Sequence, residues 1–231
     1  MKNKSAPEVS GLVKDILRNL EKDFRVEFRS RFSLNISLAF ALIVTVCISL
    51  SSGGIPFTAL VQSILFWVII FFSAMNGLSH IFVREEDQAT SLFLSISVPV
   101  DSIFLSKYIF NLLFMMVILT VIVPLFVFFL QVDIRHTGHF IISTVAGGMS
   151  IASATTILAS MVAKAGGKGS LFTIISFPIL LPVLWISIAT TNMSLESKAA
   201  PGYGNVLFLL AFSGFMTAIS FLLFRFIWLE K

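Results

Sequence analysis

Charge is what this sequence has least of. Of its 231 residues only 12% are Asp, Glu, Lys or Arg, about half the ~25% of an average soluble domain. With 57% hydrophobic residues and 25 phenylalanines, too little polar surface remains to cover a soluble sphere. Cysteine is nearly absent: Cys47 stands alone, which excludes an internal disulfide and leaves the redox compartment undetermined. Histidine is scarce too, at His80, His136 and His139. Three histidines scattered along the chain assemble no nucleophile–base pair, so no catalytic residue is assigned. His136 and His139 fall in an outer loop, 131–139, where a solvated loop is the first reading and contact with a metal or haem iron the second. No cluster of Cys or carboxylate partners accompanies them, so no metal ligand is assigned. A short basic start followed at once by an apolar core is missing as well, since the first 33 residues are charged throughout, and no cleavable signal is expected.

Present instead are long, unbroken apolar runs at 34–51, 60–80, 103–130, 140–163, 171–190 and 206–226. Each approaches or exceeds the roughly 20 residues that cross about 30 Å of hydrocarbon as a helix. A barrel would need short alternating segments. The expected fold is therefore all-α and polytopic, with six transmembrane helices over 34–228. Gly53-Gly54-Ile55-Pro56, Gly166-Gly167-Lys168-Gly169 and Pro201-Gly202-Tyr203-Gly204 supply turn chemistry between spans.

Residues 1–33 form a separate unit. Leu12, Val13, Ile16, Leu17, Leu20, Phe24 and Phe28 recur at three- and four-residue spacing, one apolar stripe on a helix. Lys14, Arg18, Lys22, Arg25 and Arg29 occupy the other face. This reads as an amphipathic interfacial helix whose basic side chains reach lipid headgroups. The alternative is a solvated helix packed on another cytoplasmic protein.

The positive-inside rule orients the chain. With six spans both termini share a side. Fourteen Lys and Arg fall on that side against two, Arg135 and Lys198, on the other. Both termini are thus expected in the cytoplasm. The net charge of +4 follows this topology and is not a nucleic-acid footprint.

Two spans have special composition. The fourth is dense in Gly, Ala, Ser and Thr between 143 and 160, including Gly147 and Gly148, and such side chains let helices approach closely. The fifth carries Pro178 and Pro182, which permit either a kink or a break. No Asp, Glu, Lys or Arg lies in the middle of any span, which disfavours a proton-coupled transporter. The AGGKGS turn at 165–170 lacks the first glycine and the Gly-Lys-Ser order of a phosphate loop, so no nucleotide site is assigned there.

One interior stretch, 81–107, gathers charge: Arg84, Glu85, Glu86 and Asp87, an amphipathic segment, then Pro99, Asp101 and Lys107. Holding three or four charges at a bilayer centre costs about 10 kcal/mol, so this stretch is expected in water or at the membrane surface, on the cytoplasmic side.

The run FVREEDQATSLFLSISVP, followed by LSK entering the third span, resembles the haem exporter protein B family, the permease subunit of an ABC transporter for cytochrome c maturation. Arg84, Glu85, Glu86, Ser91, Leu92, Pro99, Leu105 and Lys107 carry the likeness. A second match is the basic glycine turn followed by an apolar run with two prolines, on Gly166, Gly167, Pro178 and Pro182. The resemblance covers about residues 15–191. Thr90, Phe93 and Leu94 depart from the family pattern.

The resemblance implies an ABC exporter-type permease whose cytoplasmic coupling loop, at 81–107, engages a cytosolic ATPase through Arg84, Glu85, Glu86, Asp87, Ser91, Leu92, Pro99 and Lys107. ATP would be bound by that partner. Haem would be the transported or handled ligand, and the further partners would be a haem-handling membrane subunit of the C type and a small accessory membrane subunit. The alternatives are a permease for another apolar or amphipathic substrate, such as a lipid-linked glycan or a drug, and a membrane scaffold that transports nothing.

Overall fold

A computed structural model describes residues 9–78, 99–164, 169–196 and 201–229. Among these residues there are seven helices and no strand: α1 (Val9–Ser30), α2 (Phe32–Ser51), α3 (Ala59–Leu78), α4 (Val100–Leu130), α5 (Thr137–Lys164), α6 (Gly169–Glu196) and α7 (Gly204–Leu229). From α2 onward, six are long and apolar enough to cross a membrane. The fold is an all-α polytopic membrane protein. The Gly53-Gly54 turn forms as expected, with φ of +58° and +84°, values that glycine adopts without steric cost.

The small-residue span is the hub. In α5, 78% of the most apolar window is buried, against at most 56% in any other span. It packs against α4, α6 and α7, with α3 behind. Gly147 and Gly148 make this possible. A Cβ on Gly147 would run into the Trp67 ring of α3 and lie 2.8 Å from Ser187 Oγ of α6, and one on Gly148 would lie 2.6 Å from Leu119 Cδ1 of α4. Helix α2 uses the same device. Its buried face is Ser33, Ser37, Ala41 and Thr45, one small residue per turn, while Ile43 and Leu50 point outward. At this contact a Cβ on Gly77 of α3 would lie 2.6 Å from Ser37 Oγ.

Helix α6 runs unbroken through Pro178 and Pro182, so the broken-span alternative is not what forms. Both prolines lie on the exposed face, where their missing N–H groups face lipid and the carbonyls they orphan stay off the packed interior. Helix α6 also continues six residues past the expected end. There the Arg135 guanidinium donates to the carbonyl of Glu196 at 3.1 Å, a cation at a helix C-terminus.

Helix α1 divides its apolar stripe between the bundle and the outside. Val13, Leu17 and Phe28 from the apolar stripe are exposed, whereas Asn19 and Glu27 are buried. Leu20 and Phe24 from the stripe do pack on the core, and Phe24 meets Phe110 of α4 at 5.1 Å between ring centroids. Helix α1 therefore turns a mixed polar face to α4.

Candidate coupling site

Most of the charged stretch, including Arg84, Glu85, Glu86, Asp87, Ser91 and Leu92, lies outside the described residues, as does His80. Its C-terminal end is described. Pro99 sits immediately before α4, with φ −56° and ψ 136°; its fixed φ and missing N–H suit a helix start. Asp101 follows in the first turn of α4, where a carboxylate favours the helix dipole.

Lys107 departs from expectation. It closes the charged stretch as it enters the third span, yet instead of lying in water or at the membrane surface it is two turns into α4 with its side chain 1% exposed. Its Nζ is 3.6 Å from the Asp23 carboxylate of α1, whose side chain is 9% exposed, and Lys22 Nζ approaches the same carboxylate at 3.6 Å. An ammonium so far from water requires a nearby carboxylate. The helix that leads out of the charged stretch is thereby tied to α1.

The junction of α1 with α2 is tied as well. Arg31, between them, takes a left-handed conformation with φ +50°. Glu27 reaches across the turn, accepting from Leu34 N–H at 3.2 Å and from Ser33 Oγ at 3.1 Å. It thus supplies the side-chain cap that the N-terminus of α2 does not get from Arg31.

Beyond Lys107, polar side chains of α4 hold it to the hub. Asn111 Nδ2 donates to Thr156 Oγ1 of α5 at 2.9 Å. The Tyr108 hydroxyl lies 3.2 Å from Ser153 Oγ, which lies 2.8 Å from Ser213 Oγ of α7, and Thr217 of α7 donates back to Tyr108 at 3.0 Å. This closed set of hydroxyls joins α4, α5 and α7. On the far side of α5, Trp67 Nε1 of α3 donates to Thr191 Oγ1 of α6 at 2.8 Å. Each bond removes a polar group from a setting where lipid offers no partner. Ser153 and Thr156 belong to the small-residue stretch of the fourth span, but their partners Tyr108, Asn111, Ser213 and Thr217, and the Trp67–Thr191 pair, carry no such mark in the sequence. The available signal was the recurrence of Lys107, Tyr108 and Asn111 along one side of an otherwise apolar helix.

At the other end of the bundle, His139 was expected in a loop and is instead in the first turn of α5, 4% exposed. Ser194 Oγ donates to the carbonyl of Thr190 at 3.1 Å and lies 2.6 Å from His139 Nδ1. The imidazole packs at 5.4 Å from the Tyr203 ring. Together with the His136 N–H donating to Ser194 O at 3.0 Å, it fastens the α4–α5 connection onto α6. Among the described residues no group of three or more His, Cys, Asp or Glu is placed to hold a metal ion.

The family model described as CcmB protein matches residues 14–226. The chain belongs to the CcmB family. The match includes the sixth span, which the sequence resemblance did not reach. No curated protein matches the chain. CcmB proteins are the permease subunit of the haem exporter ABC transporter in cytochrome c maturation. They work with an ATPase subunit, and haem is the ligand their system handles. The six candidate membrane helices fit a permease subunit.

Proposed function

We propose that this CcmB protein couples its ATPase partner to haem delivery through the stretch at 81–107, acting without catalytic residues of its own. The observation that carries this reading is the Asp23–Lys107 pair at 3.6 Å. A force on the loop that leads into α4 would be delivered to α1 through that pair and to α5 and α7 through Tyr108, Asn111, Ser153 and Thr217. In this reading Arg84, Glu85, Glu86, Asp87, Ser91 and Leu92 meet the ATPase. Pro99 fixes where α4 begins, and Lys107 is an anchor rather than a docking residue.

The excess of Lys and Arg on one side supports placing both termini and the loop in the cytoplasm of a bacterial inner membrane, with 1–33 as an interfacial unit ahead of the 34–228 permease bundle. A haem-handling subunit of the C type and a small accessory subunit complete the assembly. Of the two tasks open to the permease, we favour transmitting ATP hydrolysis to release a loaded haem chaperone over moving haem itself. No basic residue lies in the middle of a span to meet haem propionates.

The test is ATP hydrolysis by the ATPase subunit co-reconstituted with this chain. Replacing Glu85, Glu86 and Asp87 with alanine should abolish the stimulation that the permease gives. Unchanged hydrolysis and unchanged recovery of the complex would rule out this stretch as the coupling element.

A further inference from the structure

A cleft of about 330 Å³ opens where α1 turns into α2 and both face α4. That size lies at the small end of the ~300–1,000 Å³ range of ligand sites. Its walls are mainly Phe24, Phe28, Phe110 and Phe114, with Arg31 and Asn35 as polar groups. Phe110 and Phe114 stack at 6.0 Å, as do Phe24 and Phe28. The cleft lies at the junction of α1 with the first candidate span.

Two opposite charges line the cleft and differ in exposure: the Glu27 carboxylate is buried and accepts from Ser33 Oγ and the Leu34 N–H, whereas Arg31 is exposed. The Arg31 guanidinium makes a single hydrogen bond, Nε to the carbonyl of Phe28 at 3.4 Å, and it is exposed. Arg31 also stands in a left-handed conformation at φ +50°, which glycine or asparagine would adopt with less strain. The turn itself does not explain an arginine there. A phosphate above an aromatic slot does, because a guanidinium binds phosphate through a planar fork of donors.

We propose that this cleft holds one anionic phospholipid, its acyl chain among the four phenylalanines and its phosphate on Arg31 and Asn35. The inference is independent of the coupling role and needs only that the turn between α1 and α2 lie at a membrane surface.

The test uses the full chain purified in detergent, delipidated, and titrated with phosphatidylglycerol or phosphatidylcholine under native mass spectrometry. Expected is one phosphatidylglycerol retained per chain, with phosphatidylcholine retained less. R31G removes the guanidinium while giving the turn a residue it prefers, so folding is preserved. It should weaken phosphatidylglycerol retention about five-fold, the share of one basic residue at an anionic surface. R29Q, on the same helix end but outside the cleft, should leave retention unchanged. F114W, which narrows the slot, should reduce retention of both lipids. Equal retention of the two lipids, or equal losses in R31G and R29Q, would overturn the proposal in favour of unspecific surface attraction. Displacement of the lipid by a porphyrin at one per chain would overturn it in favour of a cargo site.

Discussion

Replacing Asp23 with asparagine should destabilise the bundle by about 3 kcal/mol. Lys107 is 1% exposed and the Asp23 side chain 9%, with 3.6 Å between charges. At an effective dielectric of about 20, their attraction is of the order of 4 kcal/mol. Breaking such a pair by removing one member costs about 3–5 kcal/mol, because the other charge stays buried. The lower end applies here, since α1 can shift and admit water to Lys107. Lys22 offers an internal control. It lies at the same 3.6 Å from Asp23 but is 39% exposed, so K22Q should cost less than about 1 kcal/mol. The double variant D23N/K107M removes both charges and should recover most of the loss. The assay is reversible unfolding in mixed micelles with increasing SDS, followed by tryptophan fluorescence. Equal losses for D23N and K22Q, or a double variant as unstable as D23N, would refute the assignment of this pair as a buried anchor.

Further outcomes follow from the packing. G147A drives a methyl into the Trp67 ring with Ser187 Oγ 2.8 Å away, whereas G148A meets the flexible end of Leu119 and, at the ordinary contact distance of 3.5 Å, Met115. Overpacking costs about 1–3 kcal/mol, so the same unfolding assay should place G147A well below G148A in stability. W67F deletes the hydrogen bond to Thr191 and leaves its hydroxyl buried; a loss of at least about 1 kcal/mol is expected. For topology, the exposed Cys47 is first replaced by alanine. Single cysteines at positions 91 and 198 should then react with impermeant maleimide from opposite faces of the membrane, and labelling of both from outside defeats the six-span arrangement.

The spans were readable because crossing a bilayer depends on summed hydropathy over about 20 residues, whatever the neighbours. The inward faces were readable only where small residues cluster, as between 143 and 160 of α5. In α1 the apolar stripe divides, with Leu20 and Phe24 against the core and Val13, Leu17 and Phe28 exposed, so its periodicity alone does not say which part meets the bundle. In lipid the outside is as apolar as the inside, so small and polar groups mark the contact instead. Ser33, Ser37, Ala41 and Thr45 do so in α2, as do Gly147, Gly148 and Ser153 in α5. Asp23 and Lys107 were individually visible, but they stand 84 positions apart in the numbering, and nothing local says that they meet. His139 was misplaced because it lies just before the apolar run, and α5 begins before that run does.

The central claim is that this CcmB protein transmits ATPase work to haem delivery through residues 81–107. The most direct measurement is covalent haem in c-type cytochromes, read by peroxidase staining of gels, in cells whose own copy of the gene is deleted. Complementation with the native chain should restore the stain. Complementation with the E85A/E86A/D87A chain, expressed at the same level, should leave the c-type bands absent while b-type haem proteins are unaffected. Normal c-type bands with that triple variant would contradict the account.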